Sequence, residues 1–193
     1  IYEQTMPFFG SRSYSMALVK ITGGGALGAN RLVANEEVVS AQIGQVGTQL
    51  DGLGHIGQEV TMQGGATEQV FYNGFTAKEM DAPTGLQKLG IEHIKPIVTR
   101  GILIDIAGYK GMMRLPASYE VSVEDVLGAL ARQGMSAADI APGDAVLFRF
   151  GWSSLWTEPA AHGMNPPGIG LAVARWAAER RLTMVGSDSW GSE

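Results

Sequence analysis

Five segments in the second half of the chain alternate between two periodicities, and that alternation limits the fold more than any other feature. Residues 100–106 (RGILIDI) form a continuous apolar run of strand length. Residues 122–133 (SVEDVLGALARQ) read as a helix: Ser122 is placed to cap it, Glu124 and Asp125 favour its first turn, and Gly134 ends it. Residues 144–150 (DAVLFRF) read as a strand introduced by the turn Pro142-Gly143, and residues 168–181 as an amphipathic helix with basic residues in its last turns. A short strand at 183–186 runs into Ser187-Asp188-Ser189-Trp190. Strand, helix, strand, helix, strand argues an α/β fold: a mixed sheet, at least partly parallel, with flanking helices. In such sheets functional groups collect where strands end and loops begin. Asp188 and Gly151-Trp152 occupy positions of that kind.

The first half is less regular. Residues 15–22 (SMALVKIT) read as a strand closed by Gly23–Gly25, and a second strand is expected at 38–46. Residues 58–75, rich in Gly, Gln and Thr, read as a long connection, and loops of that length are often functional. Residues 76–89 leave room for one short helix, broken by Pro83 and Gly85. Glycine occurs 27 times in 193 residues, about twice ordinary usage, without a period, so it marks tight turns rather than low complexity. Gly23–Gly25 lacks the spacing and the Lys of a phosphate loop. No repeat or domain boundary appears, and residues 1–193 read as one domain.

Composition excludes several partners. With 45% hydrophobic and 17% charged residues, the chain can build a core and is no disordered tail. A net charge of −5 without Lys/Arg clusters gives no electrostatic basis for binding nucleic acid or an anionic membrane. The absence of cysteine rules out disulfides and thiolate metal sites and fits a cytoplasmic protein. Apolar runs such as 101–108 are far too short to span a bilayer. The chain opens on Ile1 rather than Met, which leaves export open.

Chemistry concentrates in residues 45–55, QVGTQLDGLGH. Gln45, Gly47, Gln49 and Asp51 share one parity and would face one side of an extended segment. Gln45 and Gln49 would then stand about 13 Å apart at Cα, long for one metal ion unless Gly47 bends the chain. Gln49 and Asp51 would stand about 6.6 Å apart. Gly52 and Gly54 can then turn His55 back toward Asp51.

This segment resembles the active-site motif of the cyclase family of hydrolases, which includes kynurenine formamidases and isatin hydrolases. The family pattern is His-x-Gly-Thr-His-x-Asp-x-Pro-x-His. Gly47, Thr48, Asp51 and His55 keep the family letter, whereas Gln45 and Gln49 replace its first two histidines and Leu53 its proline. Further blocks follow in order: Phe71-Tyr72-Asn73-Gly74, residues 99–105, Pro142–Leu147 with Gly151-Trp152, Pro167-Gly168, and Gly186–Trp190. Together they cover about residues 38–193.

The resemblance implies the swivelling β/β/α fold, a homodimer or homotetramer, and hydrolysis of a C–N bond in a small amide or lactam. It places a divalent metal at Gln45, Gln49 and Asp51, and proton transfer at His55, with Asp51 ligating the metal or orienting the water. The family uses zinc or manganese. The two glutamines alter that expectation, because an amide oxygen suits harder ions such as Mn²⁺ or Mg²⁺ better than Zn²⁺. A weak hard-ion site, a metal-free hydrolase built on Asp51 and His55, and a pseudoenzyme that only binds its ligand all stay open. Family members continue past the Gly186–Trp190 block, so the domain is expected to be incomplete at both ends. Phe71, Tyr72, Trp152 and Asp188 are candidate pocket residues, each with a structural alternative in the core or at a turn. His93 reads as exposed, and His162 as a solvated loop histidine.

Overall fold

The computed structural model describes residues 13–20, 25–42 and 46–191. The chain divides into two compact units, with the boundary between Ile97 and Val98.

The first unit is built from short antiparallel pairs. Strand β1 (Tyr14–Lys20) pairs with β2 (Asn35–Ala41), setting Met16 opposite Val39 and Ala17 opposite Val38. The second strand thus begins earlier than the sequence suggests, and residues 43–45 of its expected span lie outside the described residues. Strands β3 (Gln58–Thr61) and β4 (Thr67–Val70) form a hairpin. Gly64 and Gly65 carry its turn at φ +109 and +88, conformations open to glycine and costly for other residues. The stretch expected as a long connection is therefore largely a hairpin. Its strand residues are mostly polar and lie exposed, so no apolar alternation betrays them. Helix α1 (Ala77–Met80) starts where Glu79 Oε2 accepts from the backbone N–H and the hydroxyl of Thr76, both at 2.8 Å. It buries Met80 completely and leads into the pair β5 (Asp81–Ala82) and β6 (Gly85–Leu86).

The second unit carries the alternation read from the sequence. Its elements are β7 (Gly101–Asp105), α2 (Ile106–Tyr109), β8 (Glu120–Val121), α3 (Val123–Arg132), β9 (Ala145–Arg149), α4 (Pro159–His162), β10 (Gly168–Ile169), α5 (Leu171–Glu179) and β11 (Met184–Ser187). Strands β7, β9 and β11 form a parallel sheet with β9 in the centre. Helix α3 starts where expected: Ser122 Oγ accepts from the Asp125 N–H at 3.2 Å, and Gly134 follows its end at φ +73. The second expected helix begins three residues late. Gly168 and Ile169 pair with Glu120 and Val121 instead, since two glycines around a β-branched residue make a poor helix start.

Ile102, Ile104, Val146 and Phe148 on one sheet face join the core with Val126, Ala129 and Leu130 of α3 and Val173, Trp176 and Ala177 of α5. Each Val, Leu, Ile or Phe side chain fully buried there contributes about 1.5–3 kcal/mol. The continuous apolar run of β7 suggests burial on both faces, yet Leu103 is 54% exposed and Leu147 beside it 42%. Within this unit, the described residues pack one face of the sheet. No helix among the described residues is long and apolar enough to cross a membrane.

Candidate functional site

Residues 46–57 form no strand; they pass through turns to β3. Two glycines let the segment lie against its own unit. A Cβ on Gly57 would stand 2.8 Å from the Val70 carbonyl oxygen and 2.8 Å from the Phe71 ring. A Cβ on Gly54 would meet Leu86 Cδ1 at 2.7 Å. Between them the His55 N–H donates to the Gly52 carbonyl at 3.0 Å, closing a tight turn that folds His55 back over Asp51.

Asp51 is the centre of the resulting cluster. The Gln49 side-chain nitrogen donates to Asp51 Oδ1 at 3.3 Å and to Oδ2 at 3.4 Å, so it straddles the carboxylate. His55 Nε2 lies 3.9 Å from Oδ2 on the same carboxylate. That distance is too long for a hydrogen bond and short enough for an ion pair once the imidazole is protonated. Both side chains stay open to solvent, Asp51 at 46% exposure and His55 at 40%. Asp51, Gly52, Leu53, His55, Ile56 and Tyr72 line a cavity of about 380 Å³. Leu53, Ile56 and Tyr72 supply apolar walls, and Asp51 and His55 the polar end. The size suits a small organic molecule.

The fold thus brings together four sequence-derived candidates: Gln49, Asp51, His55 and Tyr72. Gln45 lies outside the described residues. Phe71 is half-buried, its ring set against the Gly57 backbone. Trp152 and Asp188 belong to the second unit. Trp152 is buried and donates its indole N–H to the His162 carbonyl at 2.8 Å. Asp188 Oδ1 accepts from the Phe150 N–H at 2.7 Å, while Oδ2 accepts from the Ser153 hydroxyl at 3.1 Å, which fastens the turn after β9.

His93 is exposed beside Glu92, as expected. His162 corrects the sequence reading: it is only 4% exposed, with its ring edge-on to Trp156 at 5.7 Å. Burial pushes its pKa below the usual histidine value, although the charge of Asp188 pulls the other way. The Ala, Gly and Pro around it carry no apolar period, so nothing local marks it as internal. Sequence reasoning also missed Leu53 and Ile56 as pocket walls. Leu53 occupies the proline position of the family motif, and Ile56 carries no signal beyond its place next to His55.

The family's metal can be tested against these residues. A zinc site draws on imidazole, thiolate and carboxylate groups, three or four together. Among the described residues no three His, Cys, Asp or Glu side chains stand close enough to hold an ion. Gln49 and Asp51, at two of the three positions where the resemblance puts ligands, are bonded to each other, and the amide turns its donor nitrogen toward the carboxylate. An amide that ligates a cation presents its oxygen. The described donors do not fit the family's zinc centre.

The Cyclase family model, described as "Putative cyclase", matches residues 2–193. The chain is similar to a solved structure titled as that of a novel cyclase, at 26% identity and a TM-score of 0.79, covering 98% of this chain and 62% of that one. It shares its fold with isatin hydrolase A from Ralstonia solanacearum, at 19% identity and a TM-score of 0.58, over 100% of this chain and 65% of that one. Isatin hydrolase A from Labrenzia aggregata, bound to benzyl benzoate, is alike at 18% identity and a TM-score of 0.59, over 100% of this chain and 66% of that one. The chain therefore spans between 62% and 66% of the length of these relatives. No curated protein matches it. On the match of its residues 2–193, this chain belongs to the cyclase family.

Proposed function

We propose that this chain carries the reacting centre of a hydrolase that opens the C–N bond of a small cyclic or acyl amide: a lactam, formamide or imide. The observation that carries the reading is the His55–Asp51 couple at the polar end of an apolar-walled cavity. Two structural relatives are named isatin hydrolases, and isatin is a bicyclic lactam, which supports the substrate class.

The geometry supports one course for the reaction. With Nε2 directed at Asp51, the imidazole keeps its N–H on that side and leaves Nδ1 to accept a proton. Water loses that proton to His55 as its oxygen bonds to the amide carbonyl carbon. The carboxylate of Asp51 stabilises the imidazolium, and contraction of the 3.9 Å gap on charging makes the bond direct. His55 then returns the proton to the amide nitrogen as the C–N bond breaks. The products are a carboxylate and an amine, or a carboxylate and an amide when the substrate is an imide, joined in one molecule when the substrate is a ring. Leu53, Ile56 and Tyr72 offer the apolar part of the substrate a contact surface.

The test is turnover of a panel of lactams, imides and N-formyl amines, isatin among them, followed by ring opening or amine release. The reading expects at least one member to be hydrolysed. Saturable binding of such compounds with no turnover of any would instead support a ligand-binding protein on the same fold, the second reading that the two motif glutamines favour.

A further inference from the structure

We infer that Gln49 is a positioning residue that holds Asp51 where the family uses a metal ion, and that the Asp51–His55 centre works without one. The kinetic part of this inference rests on the hydrolase reading above; the binding part does not.

An ionised carboxylate is acceptor-only, so a neighbour must offer a donor or a cation. In this chain the neighbour is the Gln49 amide nitrogen, at 3.3 Å and 3.4 Å from the two oxygens. That near-symmetric placement covers the edge of the carboxylate that a bound cation would occupy. His55 approaches Oδ2 from four residues further on, at 3.9 Å. A metal ion on Asp51 would compete with this imidazole for the same oxygen and would need the Gln49 amide turned over to present its oxygen. The existing arrangement gives both Asp51 oxygens one neutral donor from their own segment and leaves the charge to act on His55. Nor do the surroundings supply other ligands, since no His, Cys, Asp or Glu trio stands together among the described residues. Replacing histidine by glutamine at position 49 therefore exchanges a metal ligand for a hydrogen-bond donor of similar reach, and the oxygens of Asp51 keep a partner.

Calorimetric titration of the chelator-treated protein with Zn²⁺ and with Mn²⁺ tests the first half. We expect no stoichiometric binding of either ion, and one Zn²⁺ per chain once Gln45→His and Gln49→His are introduced together. One Zn²⁺ or Mn²⁺ per chain in the unaltered protein, lost in Gln49→Ala, would overturn the inference, and this readout stands even if the double variant does not fold. Kinetics test the second half. Turnover should be unaffected by EDTA. Gln49→Met, which keeps length but removes the donor, should lower kcat by about 10- to 100-fold with KM little changed. Gln49→Asn, which restores a donor on a shorter stem, should recover part of that loss. Loss of activity in EDTA with recovery on adding Mn²⁺ would contradict the inference. Failure of the hydrolase reading shows differently, as no turnover of any amide with or without metal, and the calorimetry then still decides the binding claim.

Discussion

Asp51 faces two partners at once, Gln49 at 3.3 Å and His55 at 3.9 Å, so its carboxylate links the segment's amide to its imidazole. Asp51→Asn keeps the shape and removes the charge that stabilises a protonated His55. It should lower kcat by about 100-fold or more. Because Asp51 is 46% exposed, its replacement should leave the melting temperature nearly unchanged. Steady-state kinetics with a thermal melt on the same sample checks both.

Gly57 is the second point of leverage, because it lets the turn containing His55 lie against the end of β4. In Gly57→Ala the new methyl group would stand 2.8 Å from the Val70 carbonyl oxygen, and that backbone atom cannot step aside as a flexible side chain would. We expect about 1–3 kcal/mol of destabilisation and a further loss of activity from the displaced His55. Urea unfolding and kcat measure the two effects.

Within the second unit, Asp125 should be among the costliest polar residues to remove. It is buried, pairs with Lys110, and accepts from the Tyr119 hydroxyl at 2.8 Å and the Ser122 N–H at 3.2 Å. Burial pushes its carboxyl up, but Lys110, Tyr119 and Ser122 together hold it below the usual carboxylate range. Asp125→Ala leaves these donors unpaired. The cost should fall toward the lower end of about 3–5 kcal/mol, since Lys110 is 30% exposed and partly reaches water. Chemical denaturation of the variant measures it.

The pH dependence of stability should have a histidine step and a carboxylate step, the second shared by Asp125 with Asp105, Asp139 and Asp144. His162 is buried and its folded pKa lies below the usual 6.5, so the unfolded chain binds a proton first. Its contribution is present above pH 6.5 and lost as pH falls through the folded value. Asp125 has a depressed folded pKa, so its contribution is present above the ordinary carboxylate value and lost further down. His162→Gln should flatten the first step and spare the second. Melting temperatures across the acid range report both.

How much of this was legible in the sequence varies with the element. Helix α3 announced itself through Ser122, its acidic first turn and Gly134, because capping is local chemistry. The β3–β4 hairpin did not, since its residues are polar and only the backbone pairing and the turn at Gly64-Gly65 define it. At the candidate site, the motif pointed to Asp51 and His55, and the turn at Gly52 that sets them side by side was foreseen from its glycines. What the letters could not convey was that the Gln49 amide would turn its nitrogen to Asp51, because an amide carries a donor and an acceptor and its letter does not say which one faces a neighbour. The walls from Leu53, Ile56 and Tyr72, and the burial of His162, depend on tertiary packing that no local period records.

The central claim, that His55 moves the proton in C–N bond cleavage, is tested most directly by comparing His55→Ala with the unaltered protein on whichever amide of the panel is turned over. The account predicts a fall in kcat of about 10²- to 10⁴-fold, with the fold intact by circular dichroism. Turnover retained at the unaltered rate in His55→Ala would contradict it.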